Sequence, residues 1–212
     1  MRLTSSCSRH EDGAQRPTAT ARSNLAPTFV NRSNGRTYPA ELEERMIFDG
    51  REICVRPIRP EDEPQHSRFL ARVNAEDIQL RFFHAARVLD HSQLARLTDI
   101  DYDREMAFIA VDRVGGREPE TLGVVRLIAD ADGRQAEFAI LVRSDLKGKG
   151  LGVALLDKIV RHGRERGVEA ITGDVKLANR RMLALARHMG FEIEPGAEPG
   201  LARVTLSLQP HA

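Results

Sequence analysis

Apolar and polar residues alternate around Ile53 and Val55, and this two-residue period predicts a first strand. Arg59-Pro60-Glu61-Asp62 then reads as a helix start, because proline suits the first turn and acids suit its positive end. Phe69, Leu70 and Val73 give that helix an apolar stripe. Helical spacing returns over 76–83 and 92–98, the second with Asp90 placed as a cap. Strands are expected over 106–111, 121–129 and 135–142. Gly115-Gly116 and Asp132-Gly133 mark the turns between them, the latter a strong hairpin signal. An amphipathic helix follows over 151–166, with Leu151, Leu155, Leu156, Ile159 and Val160 on one face and Gly163 and Gly167 expected to end it. A strand at 170–175, a helix at 180–188 stopped by Gly190, and strands at 191–194 and 202–208 complete the pattern. The order β-α-α-α-β-β-β-α-β-α-β-β predicts an α/β (α+β) domain with a mixed sheet.

Residues 1–40 depart from this pattern. They are rich in Ser, Thr, Arg, Asn and Pro and poor in large apolar groups, so they are expected to form a disordered polar tail, with the domain spanning 41–212. Apolar residues make up 41% of the 212, enough for one substantial core. Charge narrows the function classes. With 32 basic and 31 acidic side chains the net charge is +1, so no global field draws the chain to nucleic acid or to an anionic membrane. Neither a long apolar run nor a secretory start is visible, so the expected location is cytoplasmic. Cys7, Cys54 and the seven histidines show no ligand spacing, and neither a metal nor a disulfide is expected.

The chemistry concentrates between strand 135–142 and helix 151–166, in Lys147-Gly148-Lys149-Gly150-Leu151-Gly152. A helix start leaves amides without carbonyl partners and carries about half a positive charge, and glycines let a phosphate approach them closely. Two familiar phosphate motifs fail on spacing. The dinucleotide fingerprint needs a third glycine where Val153 or, in the alternative register, Leu155 stands, and a P-loop needs Ser or Thr after Gly-Lys.

What remains, basic-x-x-Gly-x-Gly after a strand, resembles the pyrophosphate-binding motif of the GNAT acetyltransferase superfamily. Asn179 ahead of a helix ending in Met189-Gly190-Phe191 extends the resemblance over roughly 52–208. More narrowly, four segments resemble the acetyltransferase domain of bacterial protein lysine acetyltransferases of the Pat type, which modify acyl-CoA synthetases. They are Leu80-Arg81-Phe82-Phe83-His84, Asp101-Tyr102-Asp103-Arg104-Glu105-Met106-Ala107-Phe108, Ala136-Glu137-Phe138-Ala139 and Asn179-Arg180-Arg181-Met182-Leu183. The resemblance implies the GNAT fold, a mixed and mostly antiparallel sheet of about seven strands flanked by helices. It also implies acetyl-CoA as cosubstrate and a protein lysine as acceptor, with an acyl-CoA synthetase as the expected partner.

Acetyl transfer to lysine needs a carboxylate to take a proton from an amine whose pKa is about 10.4. Glu137 is the candidate, on the strand that feeds the motif, where Ala136, Phe138 and Ala139 would enclose it in apolar surroundings. Asp174 is the rival, five residues before Asn179, where many GNAT enzymes carry a carboxylate. The resemblance further implies a strand splayed at Ile140, Leu141 and Val142, whose backbone pairs with the pantetheine arm while an amide near Leu141 polarises the thioester. Gly148, Gly150, Leu151, Gly152 and Val153 would supply amides to the diphosphate, and Lys147 and Lys149 would add charge. Asn179 either caps its helix or hydrogen-bonds the pantetheine arm. Arg81, Phe82, Phe83 and His84 either shape the acceptor channel or belong to the core and its rim. One departure stands out: the tyrosine that many GNAT enzymes use as general acid is replaced by Ala186. Two alternatives therefore remain, a small-molecule amine acetyltransferase and a non-catalytic acyl-CoA-binding module.

Overall fold

The computed structural model describes residues 37–82, 90–112 and 118–209. Eight strands are β1 (Glu44–Phe48), β2 (Arg51–Pro57), β3 (Glu105–Asp112), β4 (Glu120–Ala129), β5 (Gln135–Val142), β6 (Ala170–Lys176), β7 (Glu192–Pro195) and β8 (Leu201–Ser207). They form one sheet in the order β1-β2-β3-β4-β5-β6-β8-β7. Among the described residues only the β5–β6 pair is parallel. The helices are α1 (Glu63–Ala71), α2 (Ala75–Phe82), α3 (His91–Thr98), α4 (Leu151–Glu165) and α5 (Arg180–His188).

β3 explains how the layers form. Its Met106, Phe108 and Ala110 pack with Leu155, Leu156 and Ile159 of α4, while Ala107, Ile109 and Val111 pack with Ile58 and Ile100 on the opposite face. A strand covered on both sides has no use for polar alternation, which is why 106–111 is a continuous apolar run. On that opposite face Phe69 of α1 and Val73 just beyond it bury Leu141 of β5.

Two expectations need correction. The sheet of eight strands agrees with the expected count of about seven, but β1 was not among the expected strands: it is tied to β2 by a two-residue turn at Asp49 and Gly50, with φ of 50° and 75°. Positive φ at both central residues is the turn that matches sheet twist. Gly163 does not end α4; it lies inside the helix, where an added Cβ would stand 3.1 Å from Ile171 Cδ1. It permits close packing of helix on sheet, and Gly167, at φ 76°, follows the helix end. Gly115, Gly116, Phe83 and His84 lie outside the described residues, as does the side chain of Phe82.

Buried polar groups hold the face that carries α1. Arg56 donates to both oxygens of Asp62, at 2.7 and 2.6 Å, joining β2 to the turn before α1. Nearby, His66 is 3% exposed, and burial, reinforced by the Arg126 charge, depresses its pKa to about 4. The unfolded chain takes up this proton near pH 6.5, whereas the folded chain resists it until about pH 4. Stability from His66 is therefore fully present above pH 6.5 and is lost as pH falls toward 4, by about 3 kcal/mol at most. Urea unfolding at pH 7 and pH 4.5 should show this loss, and His66→Leu should shrink it.

Candidate active site

β5 and β6 pair only at Gln135↔Ala170, Ala136↔Ile171 and Glu137↔Thr172. Beyond that point they part. β5 stays paired with β4 as far as Val142, and β6 stays paired with β8 as far as Lys176. The residues just past the last pair are Phe138 and Gly173, and a Cβ on Gly173 would lie 2.7 Å from the Phe138 ring. That ring packs on Phe191 at 5.2 Å between centroids. An aromatic wedge against a residue with no side chain thus sits where the two ladders diverge.

The gap opens into a cleft of about 600 Å³. Its walls are the inner edges of β5 and β6, the start of α4, one side of α5 and the cleft-facing side of α2. Eleven of the thirteen residues expected in the site line it: Glu137, Ile140, Leu141, Val142, Lys147, Gly148, Gly150, Gly152, Val153, Asp174 and Asn179.

Backbone direction along β5 corrects one expectation. Arg143 N donates to Leu122 O, and Asp130 N donates to Gln135 O, so odd-numbered residues of β5 turn their backbone groups toward β4. Arg134 O, of even number, accepts from Glu169 N and Ala170 N on the β6 side. The β4–β5 register is unbroken from Ala136 to Val142. The Leu141 amide therefore belongs to the β4 ladder, and the amides facing the cleft are those of Ile140 and Val142.

At the opposite end, Gly148 and Gly150 have φ of 78° and 93°, and each has open space where a Cβ would be. The first helical bond at this end of α4 runs from Ala154 N to Gly150 O, at 3.1 Å. The amides of Leu151, Gly152 and Val153 thus precede any carbonyl partner. No acid occupies the first turn of α4, so nothing there offsets its positive end. An anionic diphosphate fits this cradle.

Glu137 is exposed, while Ala136 and Phe138 are buried on the other face of β5. Those flanking groups do not enclose the carboxylate; its neighbours in register are Ile128 and Thr172. Arg81 of α2 lines the same cleft. Burial lowers its pKa, and the Glu137 carboxylate acts in the opposite sense. Asp174 also faces the cleft, but Arg203 donates to it at 2.9 Å. Asn179 caps α5, accepting from Met182 N at 3.1 Å.

Two expected residues stand outside the cleft. Leu151 is 1% exposed, with its side chain in the core, and contributes only its amide to this end of the helix. Lys149 pairs with Asp49 at 2.8 Å across an exposed surface. Lys147 lines the cleft, yet its ammonium pairs with Asp77 of α2. Ala186 is fully buried in the core, away from the cleft wall that α5 presents. Gly173 and Asp77 were not legible as site residues. An isolated glycine within a strand does signal close approach, whereas nothing in the sequence around Asp77 marks it.

The chain resembles known proteins both in sequence and in fold. Residues 73–191 match the Acetyltransferase (GNAT) family. Over 145 residues the chain is 31% identical to Acetyltransferase PA5475 of Pseudomonas aeruginosa, covering 68% of this chain and 77% of that protein. The fold superposes on the GNAT domain of S. lividans PAT with a TM-score of 0.73 and 29% identity, over 81% of this chain and 99% of that domain. A stretch of 57 residues is 37% identical to the L-methionine sulfoximine/L-methionine sulfone acetyltransferase of Pseudomonas aeruginosa, over 27% of this chain and 33% of that protein. Among the described residues no cluster is arranged to hold a metal ion, and no helix is long and apolar enough to cross a membrane. The chain belongs to the GNAT acetyltransferase family and is an acetyl-CoA-dependent N-acetyltransferase.

Proposed function

We propose that this chain acetylates the ε-amine of a lysine on a partner protein, with acyl-CoA synthetases as the expected partners and Glu137 as general base. The observation that carries the reading is the placement of Glu137 in the same cleft as the open edge of β5 and the amides that begin α4. The lysine acceptor is supported by the Pat-like segments, and by the likeness to the S. lividans PAT domain.

The chemistry follows from what each group offers. Gly148, Gly150, Gly152 and Val153 receive the diphosphate, and the Ile140 and Val142 backbone pairs with the pantetheine arm as a further strand would. Glu137 takes the proton from the acceptor ammonium, directly or through water, and the freed amine attacks the thioester carbonyl. An amide of Ile140 or Val142 supports the developing oxyanion. As the tetrahedral intermediate collapses, the nitrogen gives up its second proton to the departing sulfur, directly or through water, and coenzyme A leaves; a thiol, whose pKa is about 8.5 in cysteine, needs no strong general acid, consistent with alanine at position 186.

A second reading, acetylation of a small amine, is favoured by the local likeness to a methionine sulfoximine acetyltransferase. The two separate in a thiol-release assay with mass spectrometry of the products. An acyl-CoA synthetase should gain acetyl-lysine and should accelerate thiol release at least tenfold over polyamines, aminoglycosides and free amino acids. The reverse ranking would replace the protein acceptor with a small one.

A further inference from the structure

The helix α2 is fastened to the cradle loop by a closed set of polar contacts. Asp77, 7% exposed, accepts from Ser144 Oγ at 2.6 Å and pairs with Lys147 Nζ. Its own amide donates to Asn74 Oδ1 at 2.8 Å, and the Asn74 amide donates to Ser144 Oγ at 3.0 Å. Farther along α2, the Gln79 carbonyl accepts from Lys176 Nζ of β6 at 3.1 Å. The helix is therefore tied at one point to the segment that leads into α4, and at another to the strand across the gap. Asp77 and Arg81, one turn apart on α2, both face the cleft.

Lys147 has the position from which a cation would meet the diphosphate, but its charge already has a buried partner. The side chains of Lys147 and Asp77 are 25% and 8% exposed, whereas those of Lys149 and Asp49 are 44% and 43%. An opposed pair of charges presents the field of a dipole to a nearby anion, much weaker than that of a lone cation. A partly buried pair is also screened little by salt, while an exposed pair exchanges partners readily.

We infer that Lys147 serves as the counter-charge of Asp77 rather than as a diphosphate ligand: it neutralises a buried carboxylate beside the cradle, the Ser144 hydrogen bonds hold the loop against α2, and the anion is held by the α4 amides with Lys149 as the exchangeable cation. The inference rests on the cleft being the coenzyme A site. Removing Lys147 alone leaves the Asp77 carboxylate buried and uncompensated beside the incoming diphosphate. Removing both charges leaves neither a repelling anion nor an orphaned one, and asparagine at position 77 still accepts from Ser144.

Calorimetric titration of the full chain with coenzyme A, at low and high salt, tests this. K147M should weaken binding at least tenfold. D77N/K147M should recover to within about threefold of the unaltered protein and keep its salt dependence, and D77N alone should bind as tightly or more tightly. K149M should flatten the salt dependence. A double variant as weak as K147M, with a flattened salt dependence, would overturn the inference and make Lys147 a direct ligand. K147M binding like the unaltered protein would overturn it as well. Should K147M fail to fold, D77N/K147M decides: binding within about threefold of the unaltered protein with an unchanged salt dependence supports the inference, and a tenfold loss overturns it. Absence of coenzyme A binding by the unaltered protein would instead remove the cleft as the cofactor site, and this inference with it.

Discussion

Glu137→Gln is expected to lower kcat/KM for the best acceptor by about 10²–10⁴-fold while leaving coenzyme A affinity within about twofold. The amide keeps the size of the side chain and removes its basicity, so the acceptor amine stays protonated. The proposed binding surface for the cofactor, the edge of β5 past Ile140 and the start of α4, is untouched. Asp174→Asn serves as the contrast. Its carboxylate is directed at Arg203, and the loss in kcat/KM should stay below tenfold. If the two variants exchanged these effects, Asp174 would be the base.

Gly150→Val is expected to weaken coenzyme A binding by at least thirtyfold. Two causes add. At φ 93° a side chain is strained whatever the space around it, and a β-branched one is strained most. The open space beyond the position of its Cβ belongs to the cleft wall, where the phosphates are proposed to approach the amides. Gly167→Val separates the causes, because Gly167 also has positive φ, at 76°, with open space around its Cβ position, yet follows α4 at the opposite end. Both variants should lose stability by about 1–2 kcal/mol or more in thermal melts, and only the first should lose coenzyme A.

The cradle was legible because it depends on local chemistry. Glycines at 148 and 150, a preceding strand and a following amphipathic helix are all adjacent in the chain, and backbone amides at a helix start need no distant partner. The fold class was legible for a similar reason: the apolar periods of β3, β4, β5 and α4 are long. β1 was missed because Met46, Ile47 and Phe48 are consecutive apolar residues of which Ile47 is 69% exposed, so an edge strand hides its alternation. The Asp49-Gly50 pair beside it was the available signal.

What the chain could not reveal was partnership between distant residues. Apolar neighbours of Glu137 suggested an enclosed carboxylate, yet alternation along β5 sends Ala136 and Phe138 to the core and leaves Glu137 exposed. The amide facing the cleft depends on which edge of β5 joins β4, and that follows only from the register. That Lys147 pairs with Asp77 depends on α2, about seventy residues earlier in the chain. Each of these points concerns direction or pairing, which periodicity does not encode.

On this reading the gap between β5 and β6 holds coenzyme A with its sulfur directed at Glu137, and a crystal structure of the complex with coenzyme A decides it. The diphosphate is expected within hydrogen-bonding distance of the amides at Gly150, Gly152 and Val153, the pantetheine arm alongside Ile140 and Val142, and the sulfur on the Glu137 side of the cleft. Coenzyme A bound elsewhere with the cradle empty, or lying with its sulfur turned away from Glu137, would contradict it.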